Sequence, residues 1–257
     1  MMKRKYKKYG LKYNKKPRGM QRIKKVKWPT RNIGGDRAYC KLRYVIGRDL
    51  GIATSTGFTT QGVIFNLGAG SSVNPQAVSI NGNFGNTPGL QTMAALYQNY
   101  RIRGIKLKIT YWQVSGPPVV LYTNAAANTS GFPTASISFP IVTPNISILP
   151  EQRWARYRVC SQTQNGGKPT VLKSYYSVNK VQGPDNVVKN DVDYIGQMQV
   201  ATPYWGTTSA TTPLKGPVCE YGIFTMNGAN ATTAVVGTAK IEVTVYTEFF
   251  GKRTQTE

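Results

Sequence analysis

The sequence predicts an all-β protein: a single eight-stranded jelly roll of two packed antiparallel sheets, with a disordered basic arm at its N-terminus. Three observations carry that expectation. Gly 26 and Pro 15 in 257 residues exceed the average combined usage of roughly 12%, so many turns surround a core drawn from a chain that is 40% hydrophobic. Two segments alternate apolar and polar residues with the period of a half-buried strand. Long Pro-containing connections such as residues 124–150 suit a jelly roll, one of the ways an all-β chain manages its sheet edges.

Taken in chain order, the arm comes first. Residues 3–31 hold fourteen basic residues and no acid, interrupted by Gly10, Pro17, Gly19 and Pro29. With so few apolar groups the segment cannot offset its ordering entropy. Weak strand candidates follow at 39–46 and 58–66. The segment 87–99 reads as a short helix, with Leu90, Met93, Leu96 and Tyr97 at helical spacing and Pro88 near its start. The strongest strand is 101–112, where Ile105, Leu107, Ile109 and Tyr111 oppose Lys106, Lys108 and Thr110. Further strands are expected at 119–123, 170–180, 194–201 and 218–226, bounded mostly by Gly, Pro or Asn. The segment 239–250 closes the fold, with Ile241, Val243, Val245, Thr247 and Phe249 on one face and Glu242, Thr244, Tyr246, Glu248 and Phe250 on the other.

Charge is divided unevenly along this plan. Of the 33 Lys+Arg and 10 Asp+Glu, residues 1–48 carry 18 basic residues and only Asp36, a net of +17, and residues 49–257 carry the remaining +6. A like-charge run of this length is an interaction tail for a polyanion. The phosphate-binding candidates are Lys3, Arg4, Lys5, Lys7, Lys8, Lys12, Lys15, Lys16, Arg18, Arg22, Lys24, Lys25, Lys27 and Arg31. Tyr6, Tyr9, Tyr13 and Trp28 lie among them, and cations interleaved with rings suit single-stranded nucleic acid, whose unstacked bases offer π-faces. The basic clusters also read as a nuclear-import signal. Arg101, Arg103, Lys106 and Lys108 are candidates for secondary nucleic-acid contacts, weighed against ordinary strand-edge charges. No zinc finger, RNP motif or recognition helix accompanies them, so the expected binding is largely sequence-independent.

The body is as poor in charge as the arm is rich: no charged residue falls between Asp49 and Arg101, nor from 109 to 150. A monomer surface is about 25–35% charged, and charge depletion marks surface buried between subunits. The expected partners are therefore other copies of the same chain.

The composition also excludes chemistries. With no His and only Cys40, Cys160 and Cys219, neither a Cys₂His₂ nor a Cys₄ zinc site can form within one chain, and no His-dependent nucleophile is available. No metal or cofactor is expected, and the three thiols read as buried and reduced. Asp191 and Asp193 lie two apart, a pair that reads as a solvated turn or an intersubunit contact rather than a hydrolytic dyad. No enzymatic activity is expected. Neither a signal peptide nor an apolar run of ~18 residues appears, so the expected protein is soluble, intracellular when made and free of membrane insertion.

The order of these segments carries a resemblance. A basic Tyr-containing arm, then YRIRGIKLKITYW at 100–112, KSYYSVNK at 173–180 and KIEVTVYTEFF at 240–250 resembles capsid proteins of circoviruses and related small circular single-stranded DNA viruses. The resemblance implies a jelly-roll capsid domain over 39–257 and an arm over 1–38 that packages DNA and directs nuclear import. It further implies that 101–112 matches the family's D strand and 239–250 its last. The implied partners are a homo-oligomeric shell of 60 copies (T=1), a single-stranded DNA genome and a nuclear import receptor. The implied locations are the virion and, during assembly, the host nucleus. This arm departs from the family in being richer in Lys than in Arg, and Lys binds phosphate as a point charge without the bidentate fork. Two alternatives share part of the pattern: a cellular, sequence-independent nucleic-acid-binding protein with a basic tail, and a carbohydrate-binding or hydrolytic β-sandwich.

Overall fold

A computed structural model describes residues 36–64, 77–79, 89–127, 140–162, 166–182, 194–200, 217–226 and 228–253. The strands in chain order are β1 (Arg37–Asp49), β2 (Phe58–Ile64), β3 (Ala77–Ser79), β4 (Tyr97–Ser115), β5 (Val119–Ala126), β6 (Arg156–Val159), β7 (Thr170–Ser177), β8 (Gly196–Gln197), β9 (Val218–Thr225) and β10 (Val236–Lys252). Two short helices, α1 (Leu90–Leu96) and α2 (Val178–Gln182), and a 3₁₀ turn at Leu149–Glu151 complete the described elements.

The strand order identifies the fold. One sheet runs β1-β10-β4-β7, with β8 pairing β4; the other runs β3-β2-β9-β5-β6. Chain ends meet first: β1 pairs β10 over thirteen residues, and β2 with β9, β4 with β7 and β5 with β6 are likewise antiparallel. The chain is thus a long antiparallel ribbon, β1-β2-β4-β5 against β6-β7-β9-β10. It wraps so that β10 lies beside β4 in one sheet and β9 beside β5 in the other. That wrapping is a jelly roll. The three-residue β3, parallel to β2, and a single parallel bridge between Gln113 and Gln162 depart from the antiparallel pattern.

Alternation drives the packing. From β4, Ile105, Leu107, Ile109 and Tyr111 turn inward, and from β10, Ile241, Val243, Val245 and Phe249; all are at most 1% exposed. From the opposite sheet Leu121, Ala125, Cys219, Tyr221 and Ile223 join them in one core. Each fully buried aliphatic side chain there contributes about 1.5–3 kcal/mol. The core is rich in tyrosine, and two of its phenols find acceptors: Tyr111 donates to the Leu50 carbonyl at 3.2 Å and Tyr176 to Thr123 Oγ1 at 3.0 Å. Tyr122 and Thr60 share a hydrogen bond of 2.6 Å. Burial pushes the Tyr122 and Tyr176 phenols well above their ordinary range, so they serve as neutral hydrogen-bonding struts.

The outer faces of the two sheets differ. On the β2-β9-β5 face, Val120, Tyr122 and Phe224 pack under Leu149, Ala155 and Phe58, so the segment 140–155 covers it. Glu220 lies beneath this cover with its residue fully buried, and its carboxylate accepts from the Ile141 backbone N–H at 2.6 Å. Burial pushes the Glu220 carboxyl up to about 7, opposed by hydrogen bonds from Ile141 and Asn124. The outer face of the β1-β10-β4-β7 sheet has no such cover among the described residues.

Several sequence expectations are revised. The strands expected at 101–112 and 239–250 are longer, at Tyr97–Ser115 and Val236–Lys252. The helix expected over 87–99 spans only Leu90–Leu96; it has no side-chain cap, and Tyr97 leaves the helical region for an extended conformation that opens β4. Sheet pairing overrides helical spacing there, since a helix this short is marginal alone. The strand expected over 170–180 ends at Ser177 and gives way to α2. That expected at 194–201 shrinks to Gly196–Gln197, and one edge of the second sheet is instead β6, Arg156–Val159. Cys40 is half-buried rather than buried, whereas Cys160 and Cys219 are buried. Asp191 and Asp193 lie outside the described residues.

Candidate nucleic-acid interface

The exposed face of the β1-β10-β4-β7 sheet is built by a register shift. In strict alternation with Lys106 and Lys108, Arg101 and Arg103 would point into the core. Between β4 and β10, however, Tyr246 pairs Gly104 and Thr247 pairs Ile102, leaving Arg103 as an extra residue. Such a bulge re-aims the side chains that precede it. Tyr100 and Ile102 therefore enter the core, and Arg101 and Arg103 join Lys106 and Lys108 outside. Gly104 sits at the bulge because nothing larger fits: an added Cβ would lie 2.8 Å from the Tyr175 hydroxyl and 2.9 Å from the Tyr176 carbonyl oxygen.

Around these four residues the sheet gathers cations that are scattered in sequence. The outward positions of β1 supply Arg37, Lys41 and Arg43, β7 supplies Lys173 and β10 supplies Lys240. Against nine cations stand Glu242, Glu248 and, at the far end, Asp49, a net of 9 − 3 = +6. Exposed rings are interleaved: Tyr39 is 48% and Tyr175 50% exposed.

Two buried carboxylates on β10 organise six of the cations. Glu248, 1% exposed, is met by Arg37 at 3.4 Å, Arg101 at 3.8 Å and Arg103 at 3.4 Å, and accepts from the Tyr39 hydroxyl at 3.0 Å. Glu242 is met by Lys108 at 2.9 Å, Lys240 at 3.6 Å and Arg43. The hydrogen bond from Lys108 and the neighbouring Arg43 hold the Glu242 carboxyl down at about 2. β10 is central, with β1 and β4 on either side, so each carboxylate collects partners from both neighbours.

This geometry sorts the residues singled out from sequence. The four cations of β4 lie on a central strand, not at a sheet edge. Arg101 is 4% exposed, pinned to Glu248 with its guanidinium 5.1 Å over the Phe250 ring. Arg103 and Lys108 are about a third exposed, each shared between a carboxylate and solvent. Lys106 is exposed and has no carboxylate partner among the described residues. The same holds for Lys41 and Lys173, which sequence reading did not single out; Lys41 lies 5.6 Å from the centroid of Tyr246. The arm candidates from Lys3 to Arg31, with Tyr6, Tyr9, Tyr13 and Trp28, lie outside the described residues. The arm nevertheless enters this face, because β1 begins at Arg37, within the last two residues assigned to it from sequence.

Cations spread over a sheet, with rings between them, can neutralise phosphates and receive unstacked bases. Among the described residues no group of three or more His, Cys, Asp or Glu could hold a metal ion. Nor, among them, is any helix long and apolar enough to cross a membrane.

No family model and no curated protein matches the chain. Solved structures do show likeness. Cocksfoot mottle virus matches with a TM-score of 0.43 at 10% identity, over 85% of this chain and 97% of that chain. Tobacco necrosis virus matches with a TM-score of 0.42 at 11% identity, over 86% of this chain and 85% of that one. The decameric BFDV capsid protein matches with a TM-score of 0.40 at 13% identity, over 83% of this chain and 100% of that chain. The jelly-roll assignment stands on the strand order itself.

Proposed function

We propose that this chain is the capsid subunit of a small circular single-stranded DNA virus. Its jelly roll assembles with other copies into a closed shell, and its basic arm, residues 1–38, neutralises the enclosed genome. The observation that carries this reading is the segregation of charge. A tail of net +14 over residues 1–38 runs into β1 on the sheet whose outer face, without cover among the described residues, holds nine cations, whereas long stretches of the rest of the body have none. Nucleic acid and neighbouring copies then use different surfaces of one subunit. The simplest closed icosahedral arrangement has 60 equivalent positions, which would bring roughly 800 arm charges to the interior and match a genome of that order in nucleotides. The arm's Lys clusters would also direct import into the host nucleus, where such a genome is packaged.

The test is negative-stain electron microscopy of the full-length protein with and without circular single-stranded DNA, across a range of salt. Uniform closed particles that form more readily with DNA are expected, and a variant lacking residues 1–35, which leaves β1 whole, should stay folded and package none. Only small soluble species under every condition would overturn the shell and favour a cellular nucleic-acid-binding protein.

A further inference from the structure

The exposed ring of Tyr175 is not accounted for by the carboxylate network. Tyr39, the other exposed tyrosine of the face, is committed to Glu248 through its hydroxyl. Tyr175 makes no hydrogen bond or ion pair among the described residues and remains 50% exposed. It leans from β7 across Gly104, the residue at the bulge. There it meets the Tyr246 ring edge-on, with centroids 5.5 Å apart and planes at 89°. Lys41 lies beyond, over Tyr246; Lys106 is the register partner of Tyr175 on β4, and neighbouring strands are only about 4.8 Å apart. Arg103 is next to Gly104 in the chain.

We propose that Tyr175 is a stacking platform for an unpaired nucleobase, with Tyr246 as its edge-on wall and Lys41, Arg103 and Lys106 holding the flanking phosphates. The proposal rests on the reading that this face meets single-stranded nucleic acid, and adds the place where a base, rather than the backbone, is gripped. Charge complementarity chooses the occupant. A second copy would bring the same net-positive face and be repelled, whereas a single strand brings phosphates for the cations and a π-face for the ring. Stacking accepts every base, so the site is sequence-tolerant.

The experiment uses the full-length protein and single-stranded oligonucleotides carrying 5-iodouracil. They are photo-crosslinked and mapped by mass spectrometry, with affinities measured across salt for Tyr175→Ala, Tyr175→Phe and Lys106→Ala. A crosslink at Tyr175 is expected. Tyr175→Ala should weaken binding at least about 5-fold at every salt concentration without changing the salt slope, because stacking releases no counterions. Tyr175→Phe should bind as the native protein does. Lys106→Ala should flatten the slope by about 0.7, the value for one phosphate of a single strand. Crosslinks confined to Tyr6, Tyr9, Tyr13 or Trp28, with Tyr175→Ala binding normally, would overturn the platform and leave packaging by the arm standing. A Tyr175→Ala change that altered self-association but not DNA affinity would overturn it too, by showing that a second copy covers the face. Absence of all crosslinks and of salt-dependent binding would overturn the nucleic-acid reading itself.

Discussion

Glu220 makes stability depend on pH between about 4.5 and 7. The sequence has no His, and burial pushes the Cys160 and Cys219 thiols up. Glu220, by contrast, is moved by burial into the range between pH 5 and 8. The Glu220 carboxyl rises from an ordinary 4.5 to about 7 in the fold, chiefly through burial. The folded state thus holds its proton more tightly than the unfolded chain. Its contribution is fully present below pH 4.5 and is lost as pH rises through 7, the reverse of the usual carboxylate. A rise of 7 − 4.5 = 2.5 units, at about 1.4 kcal/mol per unit, corresponds to about 3 kcal/mol. Urea denaturation at pH 5, 6, 7 and 8, followed by tryptophan fluorescence at a salt that keeps subunits dissociated, reads this directly. The native protein should lose stability of that order across the series. Glu220→Gln keeps an oxygen for the Ile141 N–H and should match the native protein at pH 5 while losing almost nothing by pH 8. Parallel pH profiles for the two proteins would refute the reasoning.

The two β10 carboxylates give further expectations. Glu248→Gln leaves Arg37, Arg101 and Arg103 facing one another; with Arg101 buried, the loss should be about 3–5 kcal/mol, measured by urea denaturation at pH 7. Glu242, held at about 2 by Lys108 and Arg43, contributes stability that is present above pH 4.5 and lost as pH falls through 2. Glu242→Gln should therefore be less stable than the native protein at pH 6 and approach it at pH 2.

The parts of the fold legible in sequence are those where one local rule acts alone. β4 and β10 announce themselves because each buries one face against the core, and burial imposes period two on Ile105–Tyr111 and Ile241–Phe249. β6 carries no such signal: all four residues of Arg156–Val159 are exposed, so only its pairing with β5 makes it a strand. Helical spacing overruns α1 because Tyr97 satisfies it and strand alternation equally, and pairing with Lys252 decides it. Within the candidate interface, the run Arg101–Lys108 was visible as charge, but the face it occupies was not. Strict alternation places its arginines inside, and only the bulge at Arg103 and Gly104 brings them out. Lys41, Lys173 and Tyr175 lie on other strands, far apart in sequence, and no spacing rule connects them before the sheet forms.

The network also explains how so basic a face can exist before any anion arrives. Cations on neighbouring strands about 4.8 Å apart lie inside the screening length of about 8 Å at physiological ionic strength, so their mutual repulsion is felt. Glu242 and Glu248, each touching three of them, relieve it from within the sheet. They are buried to 7% and 1% exposure, which leaves them little room to repel a strand laid across the face. Had the same two charges been exposed, they would have met the phosphates directly. Burial of the acids and exposure of Lys41, Lys106 and Lys173 thus give one surface that holds together empty yet presents almost only positive charge to a partner. On the proposed reading, that division lets the subunit fold alone and still wait for nucleic acid.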